Sequence, residues 1–397
     1  MYISKRIEMV AHSPIRKFNG YAANAQQKGK KIYKLNIGQP DIEPPKCFSE
    51  AIKDHISDTL TYSESEGDLL LRGSISHYFK MYGMKYSPDE IIITNGGSEA
   101  LSMAFSCILD PGDNVVIPEP FYTNYHAFVA AACGTIVPIT TAAEDCYNYA
   151  DVRMIENSIN DRTRAIVCTT PGNPTGRQLT LKDMKLIGEI AKKHDLWIIS
   201  DEVYREFVFN GREITSFGML PELAERVIIT DSISKRFSAC GARVGCLISK
   251  NRKIIGNAMK IAQSRLSCPT LEQIGAAALY NLDFSYYDKM RDEFEARRDA
   301  VYEELIQIPG IVCDKPDGSF YIMAKLPVDN IENFLIFLLT EFDDAGETVM
   351  FTPAEGFYVT PGLGHNEIRL AYVLNKNDMK RGAELIKLGL KMYQNHI

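Results

Sequence analysis

The stretch Val227-Ile228-Ile229-Thr230-Asp231-Ser232-Ile233-Ser234-Lys235-Arg236-Phe237-Ser238-Ala239-Cys240-Gly241-Ala242-Arg243-Val244-Gly245 decides how the rest of the chain is read. It opens with a β-branched apolar run, which predicts a buried strand ending where the polar residues begin. A lysine follows that strand end, with Ser232 and Ser234 just before it and Arg243 further on. Small residues fill the gap, so backbone can pass close to something bulky. Two readings fit this stretch alone. One is a surface turn with a solvated lysine. The other is a half-buried amine able to hold a carbonyl compound as a Schiff base, with hydroxyls and a guanidinium nearby for a phosphate.

Outward from this stretch, strands and helices alternate. A run at 91–94 leads into Asn95-Gly96-Gly97-Ser98 and a helix over 101–109, which makes an anion site of free N–H groups at a helix N-terminus. Strands are expected at 114–118, 135–139 and 164–170, and Pro120-Phe121-Tyr122 is expected to open a helix. The 164–170 run empties into Pro171-Gly172-Asn173-Pro174-Thr175-Gly176, a turn stiffened by its prolines. After a helix over 180–194, the run 196–200 delivers Asp201 and, one turn later, Tyr204. The pattern predicts an α/β fold with a large, doubly wound, mainly parallel sheet. Ligands of such sheets sit beyond the carboxyl ends of the strands. Gly97, Asn173, Asp201 and Lys235 all fall at such ends, and this coincidence favours the functional reading of the lysine. No Gly-x-Gly-x-x-Gly and no Walker loop occurs.

The flanks read differently. A helix is expected over 13–28 from Ser13-Pro14, then a strand-like run over 32–41 broken at Gly38, where a small ligand could approach the backbone. Beyond a helix over 68–82 and the alternating region, helices over 252–264, 269–280 and 285–306 precede antiparallel-looking runs at 318–324, 348–353 and 367–372. An amphipathic helix over 376–396 closes the chain. The expected division is a large unit at 46–280 and a smaller α+β unit made of 1–45 with 281–397.

Composition narrows the class. Of 397 residues, 45% are hydrophobic and 24% charged, ordinary for a globular enzyme. A net charge of -7 argues against nucleic acid or an anionic membrane surface as main partner. No apolar run is long enough to span a bilayer, and the first residues carry no apolar stretch of export type. Nine scattered cysteines, never spaced Cys-x-x-Cys, and seven scattered histidines disfavour a disulfide framework and a zinc site. A reduced, cytoplasmic, metal-independent protein is expected.

Taken in order, the motifs resemble those of the fold-type I, pyridoxal-phosphate-dependent aminotransferases of class I/II, of the aspartate aminotransferase type. They are Gly38-Gln39-Pro40-Asp41, Tyr62 with Gly67, Gly96-Gly97-Ser98, the Pro171 to Gly176 turn, Asp201-Glu202-Val203-Tyr204, Ser232-Ile233-Ser234-Lys235 with Arg243, and Arg369. The resemblance covers about residues 31 to 390. It implies that Lys235 is the Schiff-base lysine of pyridoxal 5'-phosphate and that Asp201 pairs with the pyridine nitrogen. Tyr204 and Asn173 would hydrogen-bond the phenolic oxygen, and Tyr122 would stack on the ring. Gly97, Ser98, Ser232, Ser234 and Arg243 would hold the phosphate, with Tyr62 reaching in from a neighbouring subunit of a homodimer. Arg369 would clamp the substrate α-carboxylate, helped by the backbone at Gly38 and by Asn173.

Physical reasoning adds two expectations. Asp201 has to be ionised to keep the ring nitrogen protonated. Arg369, inside an apolar run, needs a carboxylate partner, from the protein or from the substrate. The resemblance implies amino transfer from an L-amino acid, aspartate or similar, to a 2-oxo acid such as 2-oxoglutarate; an elimination lyase on the same scaffold is the alternative. One subgroup of aspartate-specific members carries a lysine where Ser98 stands. Arg265 could replace that cation in a neighbouring site, or be a solvated helix-end arginine.

Overall fold

The computed structural model describes all residues except 2, 9, 11, 12, 57–59 and 397. The strands in chain order are β1 (Lys31–Lys34), β2 (Ile91–Thr94), β3 (Asn114–Glu119), β4 (Thr135–Thr140), β5 (Thr163–Thr169), β6 (Trp197–Asp201), β7 (Val227–Ser232), β8 (Gly245–Ile248), β9 (Tyr321–Lys325), β10 (Glu347–Met350), β11 (Thr352–Pro353) and β12 (Glu367–Ala371). A seven-stranded sheet has the order β2-β8-β7-β6-β5-β3-β4. It is parallel except at β8, which runs antiparallel to both β2 and β7. Two reversals restore direction, so β2, β3, β5, β6 and β7 all present their carboxyl ends on one edge.

Continuous β-branched runs form these strands because both faces of the sheet are covered by helices. Successive side chains point to opposite faces. Ile198 and Ile229 accordingly join one apolar layer with the helices Leu69–Met81, Leu181–Lys193 and Thr270–Tyr280, while Ile199 and Ile228 join the other with Gly96–Ile108 and Arg252–Arg265. The helix Leu181–Lys193 starts where Thr180 and Asp183 form a reciprocal capping box.

The remaining strands surround a second core. β9, β11 and β12 form an antiparallel sheet, and β1 pairs in parallel with β10. Leu35 N donates to Met350 O and Ala371 N to Leu35 O, both at 2.8 Å, so the segment after β1 runs alongside β12. The helix Phe284–Leu305 serves both cores: Tyr287 packs with the large sheet, Phe294, Val301 and Leu305 with the second core.

Several expected bounds shift. The helix near the N-terminus is Asn19–Gln27, with a turn before it rather than a helix from Ser13. The strand expected over 32–41 is only Lys31–Lys34, and Tyr122 precedes a helix that starts at Tyr125. The single run expected at 348–353 is two strands in two sheets, β10 beside β1 and β11 beside β12.

Candidate active site

The carboxyl edge of the large sheet faces β9, β12 and the Asn36–Gly38 segment across a cleft of about 460 Å³. All the residues singled out in the sequence line it except Tyr62: Gly38, Gly97, Ser98, Tyr122, Asn173, Asp201, Tyr204, Ser232, Ser234, Lys235, Arg243 and Arg369. Tyr62 is 79% exposed and sits in a separate surface groove beside Ser267 and Thr270.

Lys235 follows β7 on a braced turn. Ser234 N donates to Ser232 Oγ at 2.9 Å, and Ser232 N to Asp231 Oδ1 at 2.7 Å. Asp231 is buried and takes ion pairs from Arg236 and, at 3.1 Å, from Arg205, which also binds Glu202 at 2.7 Å. Such a buried network is costly to break, so it locks the loop that carries the lysine. Lys235 Nζ donates to Gly38 O at 2.7 Å. Gly38 has a second reason to be glycine: a Cβ there would lie 1.8 Å from Tyr321 Oη.

One end of the cleft is an anion cradle. The helix Gly96–Ile108 points its N-terminus there, beside Ser98, Ser232, Ser234 and Arg243. Gly96 has φ +75°, and a Cβ on it would meet Arg243 Nη2 at 2.3 Å. Backbone N–H groups, hydroxyls and a guanidinium are the donors a phosphate monoester requires.

Deeper in, Asp201 closes β6. Burial pushes its carboxyl up to about 6, against the pull of a hydrogen bond from Tyr125 Oη at 2.7 Å to Oδ2. Sequence reasoning expects this acid ionised against a cationic ring nitrogen; without that partner, burial holds its proton up to about pH 6. Tyr204, at the far wall, stays a neutral phenol because burial and the neighbouring Tyr321 hydroxyl at 3.2 Å raise its pKa well above the ordinary value. Tyr122 is pushed up to about 12, by burial first.

Arg369, on β12, is 1% exposed and meets no carboxylate among the described residues. Nη1 donates to Asn173 Oδ1 at 3.0 Å and Nη2 to Asn36 O at 2.8 Å, while buried Nε has no partner. Its guanidinium lies 4.4 Å from the Tyr321 ring centroid, and burial lowers its pKa. The charge partner expected for it is therefore not an acid among the described residues.

Arg265 is not a solvated helix-end arginine. Its side chain is 18% exposed, pairs with Glu99 at 3.2 Å and donates to Ser65 O and Ile93 O. Tyr125, Tyr321 and Asn36 escaped the sequence reading. Tyr125 carried no signal beyond its place one turn after Tyr122, and the other two act through contacts between distant segments.

The cleft thus brings together a braced lysine, a buried carboxyl group, a neutral phenol, a cluster of anion donors and a guanidinium with no carboxylate partner among the described residues. Comparison with known proteins agrees. The family model described as aminotransferase class I and II matches residues 30–386. An aspartate aminotransferase of Bacillus subtilis is 31% identical across 98% of both chains. Aromatic-amino-acid aminotransferase 2 of Thermococcus litoralis is 34% identical over 82% of this chain and 84% of its own. The solved alanine aminotransferase of Pyrococcus furiosus superposes with a TM-score of 0.89 at 30% identity, over the whole of both chains. The chain belongs to the class I and II aminotransferases, and it is a pyridoxal-phosphate-dependent transaminase. Among the described residues no helix is long and apolar enough to cross a membrane.

Proposed function

We propose that Lys235 is the proton-transferring amine of this transaminase, with Asp201, Arg243 and Arg369 holding the three charged ends of cofactor and substrate. The observation that carries this is Arg369: a buried guanidinium with no acid partner among the described residues, its Nε unpaired there, lining the same cleft as Lys235 and Asp201. A substrate carboxylate supplies the missing counter-charge in planar, bidentate form.

Pyridoxal phosphate, when bound, supplies an aldehyde for the amino group and a ring that stores the electron pair left by the broken Cα–H bond. Asp201, held by the hydrogen bond from Tyr125, would keep the ring nitrogen protonated. Tyr204 and Asn173 would hydrogen-bond the cofactor's phenolic oxygen, and Tyr122 would stack on its ring. Gly97, Ser98, Ser232, Ser234 and Arg243 bind the phosphate. The ε-amine of Lys235, which lines the same cleft, would take the α-proton of the bound substrate. Gly38, whose carbonyl already accepts from Lys235, lies beside the carboxylate that Arg369 clamps.

The donor we favour is aspartate or a similar L-amino acid with 2-oxoglutarate as acceptor, supported by the aspartate aminotransferase relatives. We further assign a homodimer with shared sites. Support comes from exposed Leu60, Tyr62, Leu69, Leu70 and Leu266, an apolar surface in two neighbouring segments that a partner would cover. The large unit is assigned to 46–280 and the small one to 1–45 with 281–397, in keeping with the separate apolar cores. All nine cysteines are free, which suits a cytoplasmic setting.

The test is Lys235→Ala. The reading expects loss of the visible absorbance of bound cofactor and no conversion to the amine form by any amino donor. Full turnover in that variant would refute the assignment. Ammonia or pyruvate release without an added oxo acid would point to elimination instead.

A further inference from the structure

Three guanidinium groups line the cleft, and the reading above uses two. Arg243 stands at the phosphate cradle and Arg369 lies at the buried end over Tyr321. The third is Arg16, which lines the same cleft with Ser13, Ile15 and Ile37. Among the described lining residues the only acid is Asp201. Once Asp201 faces a ring nitrogen, Arg243 a phosphate and Arg369 one carboxylate, the solvent-exposed Arg16 is the cleft guanidinium still open to a ligand.

No side-chain hydrogen bond or ion pair joins Arg16 to another described residue. Its backbone is nevertheless held. Arg16 N donates to Ser13 O at 3.2 Å and Asn19 N to Arg16 O at 3.1 Å. Pro14 packs against Gly356, where an added Cβ would come within 2.7 Å of the proline ring. One residue ties this turn to Arg369: Asn36 Nδ2 donates to Ile15 O at 3.2 Å, while Asn36 O accepts from Arg369 Nη2 at 2.8 Å. The segments carrying the two guanidinium groups thus have a common tether.

We propose that Arg16 reads the second carboxylate of a dicarboxylic amino acid or 2-oxo acid, an assignment that deepens the transaminase reading and rests on it. Its planar fork is free for a bidentate contact. Ile15 and Ile37 give the methylene carbons of such a substrate an apolar wall. Position 98 offers only a hydroxyl, and Arg265 is already engaged by Glu99.

The experiment compares wild-type holoenzyme with Arg16→Gln and Arg16→Lys. In Arg16→Gln the ratio of kcat/KM for aspartate and glutamate to that for alanine and phenylalanine is expected to fall about 10- to 100-fold, mainly through KM, the worth of hydrogen bonds to a charged group. Arg16→Lys should recover part of it. Calorimetric binding of maleate to the holoenzyme should weaken by a similar factor, with propionate binding unchanged. A ratio within twofold of wild type, equal losses on both substrate classes, or unchanged maleate binding overturns the proposal. Wild-type turnover of alanine and phenylalanine but of neither dicarboxylate overturns it too, and leaves the transaminase reading standing. If no donor is turned over, that reading falls instead, and maleate binding still decides the role of Arg16.

Discussion

Asp201→Asn is expected to stabilise the protein without its cofactor while disabling the protein with it. Burial raises the carboxyl from 3.8 to about 6, so the folded state holds its proton more tightly than the unfolded chain does. That stabilising proton is fully held below the unfolded pKa and lost as pH rises through about 6. The shift corresponds to about 3 kcal/mol of native-state cost at pH 8, shrinking to about 1 kcal/mol at pH 4.5. An amide removes the cost and fits the contacts. Its oxygen can accept from Val203 N, as Oδ1 does at 3.4 Å, and its NH₂ can donate to Tyr125, whose proton then turns to Thr169 Oγ1 at 2.7 Å. For 397 residues the gain is about 3–4 °C in Tm at pH 8 and about 1 °C at pH 4.5. The assay is scanning calorimetry of cofactor-free wild type and variant at the two pH values, repeated with pyridoxal phosphate. Added cofactor should stabilise wild type more than the variant, because only the carboxylate meets a cationic ring. No gain at pH 8, or an equal gain at both pH values, would refute the reasoning that a desolvated acid awaits a positive partner.

Arg369→Met should likewise raise the stability of the cofactor-free protein, since it replaces a buried cation without a counter-charge by an apolar side chain. It should lower kcat/KM about 10²–10³-fold for every amino donor alike; steady-state kinetics on several donors checks this, and a loss confined to one donor would contradict it. Gly96→Ala places a methyl 2.3 Å from Arg243 Nη2 at a φ of +75°, so the phosphate cradle must open. Equilibrium dialysis should show weaker binding of pyridoxal phosphate, with the Lys235 Schiff base still forming at saturating cofactor.

Much of this protein could be read from local pattern. Buried parallel strands are runs such as Ile228-Ile229, apolar on both faces, and they announce themselves without tertiary knowledge. Candidate site residues at strand ends follow from that pattern, which is why Asp201, Asn173, Gly97 and Lys235 could be picked out together. Chain breaks were less legible. Thr348 to Pro353 is one apolar run in sequence, yet its halves pair with different strands, because a partner strand and not local propensity divides it.

What only the tertiary structure decided is how charges are matched. Arg369 could have met a protein acid, Arg265 could have been free, and Arg16 drew no attention. The partners of Arg369 and Arg265 come from residues hundreds of positions away, as with Asn36 and Arg369, or Arg265 and Ser65. Sequence alone determined the kinds of element and the strand-end chemistry, because backbone periodicity is local. Which ionic groups were left without partners, and so free for a ligand, depended on packing between segments that no local rule brings together.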